Sequence, residues 1–341
     1  MRVAMYYNNN EIRLEEMPTP RIGRNELLVR VVASGICGSD VMEWYRIEKA
    51  PLVLGHEIAG EIVDVGEGVK NYKVGDRVFV SHHVPCGECR YCLAGHESVC
   101  DTLRRTNFEP GGFAEFIRVP RINVEKGTFH LPKEMSYEEG VFIEPLACVV
   151  RGQRFAGMEE GKSVLILGSG IVGLLHMKLA RTKGASKIFS TDISSYRMQM
   201  AMASGADHVI DANEDVPSKV RELNDGQLAD LVIVCTGAGP AIEQSLHSVD
   251  KGGTVLFFAP TDPGTRIPIP FNELWREEIT MVSSYAGSPR DIEEAIDLIR
   301  SGRVRVREMI THRLSLAETG LGFQLVAKAE DSLKVIIEPQ R

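Results

Sequence analysis

No apolar run in this sequence approaches the length of a membrane-spanning helix, and the opening stretch "MRVAMYYNNNE" lacks the basic-then-apolar layout of a signal peptide. Both absences predict a cytoplasmic protein. Nor is there an excess of positive charge: 39 Lys and Arg against 47 Asp and Glu leave a formal charge of −8. Nucleic acid and anionic membrane both want a concentrated basic face, so neither is expected as a partner. Internal repeats and low-complexity segments are missing too. What is there is 341 residues, 43% hydrophobic and 25% charged, an ordinary globular composition on a chain long enough for two domains.

The rhythm of the sequence changes along its length. Up to about Val119 the apolar runs are short and strand-like, as in "RVAMYY", "ELLVRVVAS", "HEIAGEIVDV", "DRVFV" and "GGFAEFIRV", with glycine, proline and acidic residues between them. That predicts a compact, mainly antiparallel β domain. From Ser163 the pattern becomes strand, glycine, helix, repeated: "SVLILG" then "IVGLLHMKLARTKG", "KIFSTD" then "SSYRMQMAMASG", "ADLVIVC" then "AIEQSLHSV". Continuous apolar strands alternating with amphipathic helices predict a doubly wound parallel sheet covered on both faces. The expected arrangement is an α/β Rossmann domain over residues 146–287, inserted into a β domain formed by 1–145 and 288–341.

"VLILGSGIVGL" places Gly168, Gly170 and Gly173 in a G-x-G-x-x-G after a strand and at the start of a helix. Gly168 permits the tight turn, Gly170 lets a pyrophosphate approach the backbone, and Gly173 lets helix and strand pack closely. The N–H groups of the helix start, from Ile171 and Val172 onward, then face the phosphates. Asp192 ends the next strand, 19 residues after Gly173 (192 − 173). A carboxylate there accepts from ribose hydroxyls and repels a 2′-phosphate, which predicts NAD(H) over NADP(H). Arg197 either braces the ribose side or is a solvated helix residue.

Four of the seven cysteines crowd into "CGECRYCLAGHESVC": Cys86, Cys89, Cys92 and Cys100, spaced C-x2-C-x2-C-x7-C. In a reducing compartment such a cluster predicts metal ligands rather than disulfides. Four thiolates complete a tetrahedral zinc sphere and leave no position for substrate, so this zinc is structural. A second set is dispersed: Cys37 in "GICGSD", His56 and Glu57 in "LGHEIAG", and Glu144 in "FIEPLA". Singly, each has an ordinary explanation as a buried thiol, a core histidine or a helix-start carboxylate, and spacing alone does not join them.

Taken in order, these motifs resemble the zinc-dependent medium-chain dehydrogenases: "GHE" followed by "VGDRV", the four-cysteine lobe, the Rossmann insert and the closing "KVII". The resemblance covers nearly the whole chain and falls on the sorbitol and threonine dehydrogenase branch. It implies a GroES-like catalytic domain, two zincs per chain, and hydride transfer between NAD(H) and a secondary alcohol or polyol. Cys37 and His56 match the catalytic zinc ligands. The third ligand is a carboxylate, Glu57 or Glu144, where alcohol dehydrogenases carry cysteine. Ser39 matches the hydroxyl that takes the alcohol proton, and Asp40 the acid that orients the ligating histidine. Thr236, Ser284 and Lys334 match cofactor-contacting positions, Lys334 at the pyrophosphate.

Two departures stand out. Met42 replaces the histidine that in some alcohol dehydrogenases passes the proton to solvent. Ser284 stands where sorbitol dehydrogenases carry an arginine that holds polyol hydroxyls, which counts against sorbitol itself. Trp44, Tyr45 and Phe108 are either pocket aromatics or packing. An amino-alcohol or threonine-type dehydrogenase is the alternative within enzymes, and a non-catalytic dinucleotide-binding protein the alternative outside them. The family implies dimers or tetramers, and "TVLFFA" is the strand expected to pair across a two-fold.

Overall fold

The computed structural model describes every residue from Met1 to Arg341. The chain divides into two units, one comprising Met1–Ala147 with Ala286–Arg341, the other Cys148–Tyr285. No helix is long and apolar enough to cross a membrane.

The first unit is organised around strand Leu27–Gly35, which pairs antiparallel with Glu57–Val65, Phe116–Val119 and Lys334–Glu338. The last of these strands also runs parallel to Ile310–Ser315, so the tail closes the sheet that the first third of the chain begins. Period-2 alternation explains its core. Leu27, Val29 and Val31 alternate inward and meet Ile58, Ile62, Val78, Val80, Ile117 and Val119 from the paired strands. Phe108 joins this core at 0% exposure, which makes it packing rather than a pocket aromatic.

The second unit contains one parallel sheet of six strands: Ser163–Leu167, Lys187–Asp192, His208–Asp211, Ala229–Val234, Val249–Phe257 and Thr280–Ser283. Numbered along the chain, their spatial order is 3-2-1-4-5-6, the doubly wound dinucleotide-binding arrangement. Its central strand, SVLIL, is buried at every residue, as a strand covered on both faces must be.

One sequence expectation is overturned here. The strand holding most of "TVLFFA", Val249–Phe257, is flanked by Ala229–Val234 on one side and Thr280–Ser283 on the other. Both of its backbone edges are satisfied, so it has no edge to offer a second subunit. The outer edge of the sheet belongs to Thr280–Ser283, whose residues are largely exposed.

Candidate active site and metal centres

Cys86, Cys89, Cys92 and Cys100 fold onto one another through three short helical turns, Arg90–Leu93, Glu97–Val99 and Asp101–Arg105. Their sulfurs all lie within 4.8 Å of one another, with Sγ–Sγ distances of 3.5 Å for Cys89–Cys92 and 3.6 Å for Cys86–Cys100. None is in a disulfide. Backbone amides aim at them: Cys89 N–H donates to the Cys86 sulfur at 3.3 Å, and Cys86 N–H to that of Cys100 at 3.5 Å. Burial works upward on Cys100, yet the amides of Cys86, Leu103 and Thr102 and the Cys86 side chain bring it down to about 6, whereas burial pushes Cys92 up to about 12. Sulfurs this close cannot all ionise unless a cation shares the charge. The set fits a zinc ion with no open position.

The dispersed residues are assembled by strand register. Gly35 pairs with Glu57 across the ladder between Leu27–Gly35 and Glu57–Val65. Cys37, two residues beyond the first strand, and His56, one before the second, therefore meet at the same end of the sheet. The ligating atoms of Cys37, His56 and Glu57 lie within 4.8 Å of one another. Gly35 is required for this approach, because a Cβ there would fall 2.2 Å from Glu57 Oε2. One thiolate, one imidazole and one carboxylate are a zinc donor set that leaves a position free for a further ligand.

Asp40 is fully buried and holds the loop shut. Its Oδ2 accepts from Cys37 N–H at 3.0 Å, while Oδ1 stands 3.3 Å from His56 Nδ1 and 3.6 Å from Arg46. Burial opposes its charge, but His56 and Arg46 hold the carboxyl below its ordinary value. Burial likewise works against charged His56, and Asp40 lifts it well above the ordinary histidine range. With the carboxylate facing Nδ1, a proton is favoured there, and Nε2 is the nitrogen left to ligate a metal. Ser39 N–H reaches toward the Cys37 sulfur at 3.5 Å.

Glu144 sits in the first turn of helix Ile143–Phe155, outside the 4.8 Å set. Lys334 is placed differently from the sequence expectation. Rather than presenting its ammonium to a cofactor phosphate, it is 1% exposed, with Nζ 2.5 Å from Glu57 Oε2 and 5.6 Å from the centre of the Phe142 ring. A cation at that depth needs a counter-charge, and Glu57, also 1% exposed, supplies it.

Three residues here went unremarked in the sequence. The His82 ring lies 4.9 Å from that of His56 and 3.8 Å from that of His83. Burial drives both below the usual histidine value, His83 to about 4, so the pair is neutral. The doublet "SHHVPC" just ahead of the cysteine lobe was the available signal. Arg46 donates to Ser39, a contact with no sequence signature. The Trp44 and Tyr45 rings meet at a tilt of 54° with centroids 5.7 Å apart, and Tyr45 also lies under the Arg46 guanidinium at 4.5 Å.

In the second unit Gly168 adopts φ +100, a left-handed conformation that favours glycine, and a Cβ on Gly173 would fall 2.0 Å from the Gly168 carbonyl. Gly170 caps helix Ile171–Thr182, so Ile171 and Val172 form its first turn. Asp192 is tied to this loop: Oδ2 accepts from Ser169 N–H at 2.9 Å, and Oδ1 from Ser194 N–H at 3.0 Å. The Arg197 guanidinium stands beside Gly170, 3.9 Å from where its Cβ would be. Thr236 packs against Gly168, and Ser284 follows the outermost strand with its hydroxyl buried. The glycine loop, helix start and carboxylate form a cradle that a dinucleotide fits.

Residues 23–132 match the family described as the alcohol dehydrogenase GroES-like domain, and residues 172–301 match the zinc-binding dehydrogenase family. A sorbitol dehydrogenase of Bacillus subtilis is 32% identical over 100% of this chain and 98% of its own length. An L-threonine 3-dehydrogenase of Pyrococcus abyssi is 36% identical, covering 88% of this chain and 87% of its own. A zinc-binding dehydrogenase from Sinorhizobium meliloti 1021, solved bound to NADP, superposes with a TM-score of 0.89 at 29% identity, with 99% of each chain covered.

Proposed function

Because the chain belongs to the zinc-dependent medium-chain dehydrogenases, on the sorbitol and threonine branch, we propose that it transfers a hydride between NAD(H) and a secondary alcohol or polyol, with the ketone as product or substrate. That it is an alcohol or polyol dehydrogenase follows from the family; the cofactor choice, the residue roles and two zincs per chain are the proposal. The observation that carries it is the convergence of Cys37, His56 and Glu57 within 4.8 Å. Zinc held there supplies a Lewis acid that acidifies a substrate hydroxyl, and the nicotinamide supplies the hydride acceptor.

The chain's own residues do the rest. Cys37, His56 and Glu57 would hold the metal directly, with Glu144 as the further candidate carboxylate. Lys334 compensates the buried Glu57 carboxylate. Asp40 fixes the His56 tautomer, and Ser39 takes or returns the substrate proton. Met42 has no ionisable group to carry that proton onward, so the hydroxyls of a bound cofactor and water would supply the exit. Gly168, Gly170, Gly173, Ile171 and Val172 cradle the pyrophosphate, while Thr236 and Ser284 contact the cofactor. Asp192 and Arg197 hold the ribose, and the Asp192 carboxylate repels a 2′-phosphate. Cys86, Cys89, Cys92 and Cys100 hold the structural zinc. A homodimer or homotetramer is proposed, with the exposed edge Thr280–Ser283 as the self-pairing strand.

The test is a screen of 2,3-butanediol, sorbitol, inositol and L-threonine with each cofactor. Oxidation of secondary alcohols or polyols with NAD supports the proposal. A clear preference for NADP in kcat/KM sinks the cofactor assignment, and turnover of L-threonine alone transfers the reading to the amino-alcohol class. Asp192→Asn should raise NADP usage about 10-fold or more relative to NAD, since a carboxylate beside a phosphate is a desolvated like-charge pair.

A further inference from the structure

Arg46 reaches back to the Cys37–Asp40 loop. Carried on the short helix Glu43–Arg46, its guanidinium folds back so that Nε donates to the Ser39 carbonyl at 3.0 Å and Nη2 to Ser39 Oγ at 3.1 Å. The same Nη2 stands 3.6 Å from Asp40 Oδ1, and the Tyr45 ring supports the group from 4.5 Å. The side chain is only 16% exposed, so these contacts are poorly screened. From this clamp we infer that Arg46 is a positioning residue for the reaction, fixing the Ser39 hydroxyl so that its hydrogen and its remaining lone pair are both kept for proton transfer at the reacting oxygen.

The argument is one of donors and acceptors. A serine hydroxyl has one hydrogen and two lone pairs. The guanidinium occupies one lone pair and has no acceptor of its own, so the Ser39 hydrogen cannot be donated to it. That hydrogen must go elsewhere, and the second lone pair remains free. A guanidinium holding both the carbonyl and the hydroxyl oxygen of one residue also fixes the serine rotamer, which a single ammonium donor would not do as well. Because Arg46 cannot receive a proton, it is not an exit route. Protons lost from Ser39 pass to solvent by another path, as the absence of an ionisable group at Met42 also requires. The inference rests on the assignment of Ser39 to proton transfer.

The experiment is a double-mutant cycle in the zinc-loaded enzyme, with 2,3-butanediol and NAD. Arg46→Met should lower kcat about 10- to 100-fold with KM changed less than about threefold, the cost of a lost charge-assisted hydrogen bond expressed at the transition state. In a Ser39→Ala background the same substitution should cost less than about twofold, because its effect runs through the serine. Added guanidinium should restore part of the lost kcat in Arg46→Ala, and Arg46→Lys should fall between wild type and Arg46→Met. Zinc content and melting temperature, read alongside, should stay at wild-type values. Penalties that multiply in the double mutant, or a zinc content that falls with Arg46→Met, would show a merely structural clamp and overturn the inference. A Ser39→Ala enzyme as fast as wild type would remove the Ser39 assignment itself, and the role of Arg46 with it.

Discussion

The molecule offers two clusters of side chains that could hold a metal within one unit, and they are built in opposite ways. The lobe at Cys86–Cys100 gathers four identical soft donors from fifteen consecutive residues (100 − 86 + 1), with amides aimed at the sulfurs. The other set takes a sulfur, a nitrogen and an oxygen from the ends of two paired strands. The first set is saturated by its own chain and can only brace. The second is one ligand short of a tetrahedron and carries buried partners: Asp40 on the histidine and Lys334 on the glutamate. On the proposed assignment, density of ligands marks where the fold is stapled, and incompleteness marks where chemistry happens.

Exchange at Cys37 tests that distinction hardest. Cys37→Ser should cut turnover by about 1000-fold or more and lower zinc content by about one equivalent, because the Lewis acid contributes several kcal/mol to the barrier. NADH affinity, measured by fluorescence titration, should stay within about twofold. If turnover survives, the open set is not the reacting centre.

Lys334→Met comes next. It strands Glu57 as an unpaired buried charge and should destabilise the zinc-free protein by about 3–5 kcal/mol in denaturant titration. Zinc should recover part of that loss by taking over the counter-charge, whereas no such recovery is expected for any substitution in the sulfur lobe. Cys100→Ser is the counterpart there. It should lower the melting temperature by about 5–10 °C or block assembly, since a structural metal's binding energy is folding energy. The kcat per folded, zinc-loaded molecule should hold. The smallest first effect on melting temperature should come from graded treatment with a chelator. The first zinc to leave should abolish activity with little change in melting temperature, and the second should leave only as the protein unfolds.

The contrast also explains what could be read without coordinates. The four cysteines announce themselves because their partners are neighbours in sequence. The glycine loop and Asp192 do so because strand, turn and helix occur in a fixed order, and the structure adds the direct tie from Asp192 to Ser169. Cys37 and His56 carry no joint signal in spacing, since the link between them is the ladder register of Gly35 opposite Glu57. Resemblance to a family was needed to pair them. The ion pair of Lys334 with Glu57 spans 277 residues, and no local pattern encodes it. Arg46 was hidden for another reason: a basic residue closing a short helix normally faces solvent, and only its fold-back onto Ser39 gives it a role. The apolar run "TVLFFA" reports buried faces and says nothing of whether its backbone edges are taken, which only the ladders on both sides of it reveal.

The pairing of Lys334–Glu338 with Leu27–Gly35 has a consequence for how the protein is made. Synthesis is vectorial, and domains fold as their last residues emerge. The nucleotide-binding unit, contiguous from Cys148 to Tyr285, has all its strands in hand while translation continues. The unit that starts first must wait, its central sheet missing a neighbour and Glu57 missing its cation until residues past 334 appear. The metal-binding half is thus begun earliest and finished latest. Ribosomes stalled just short of that strand should carry a folded dinucleotide unit beside an open sheet, the stretch of biogenesis in which a chaperone has most to do.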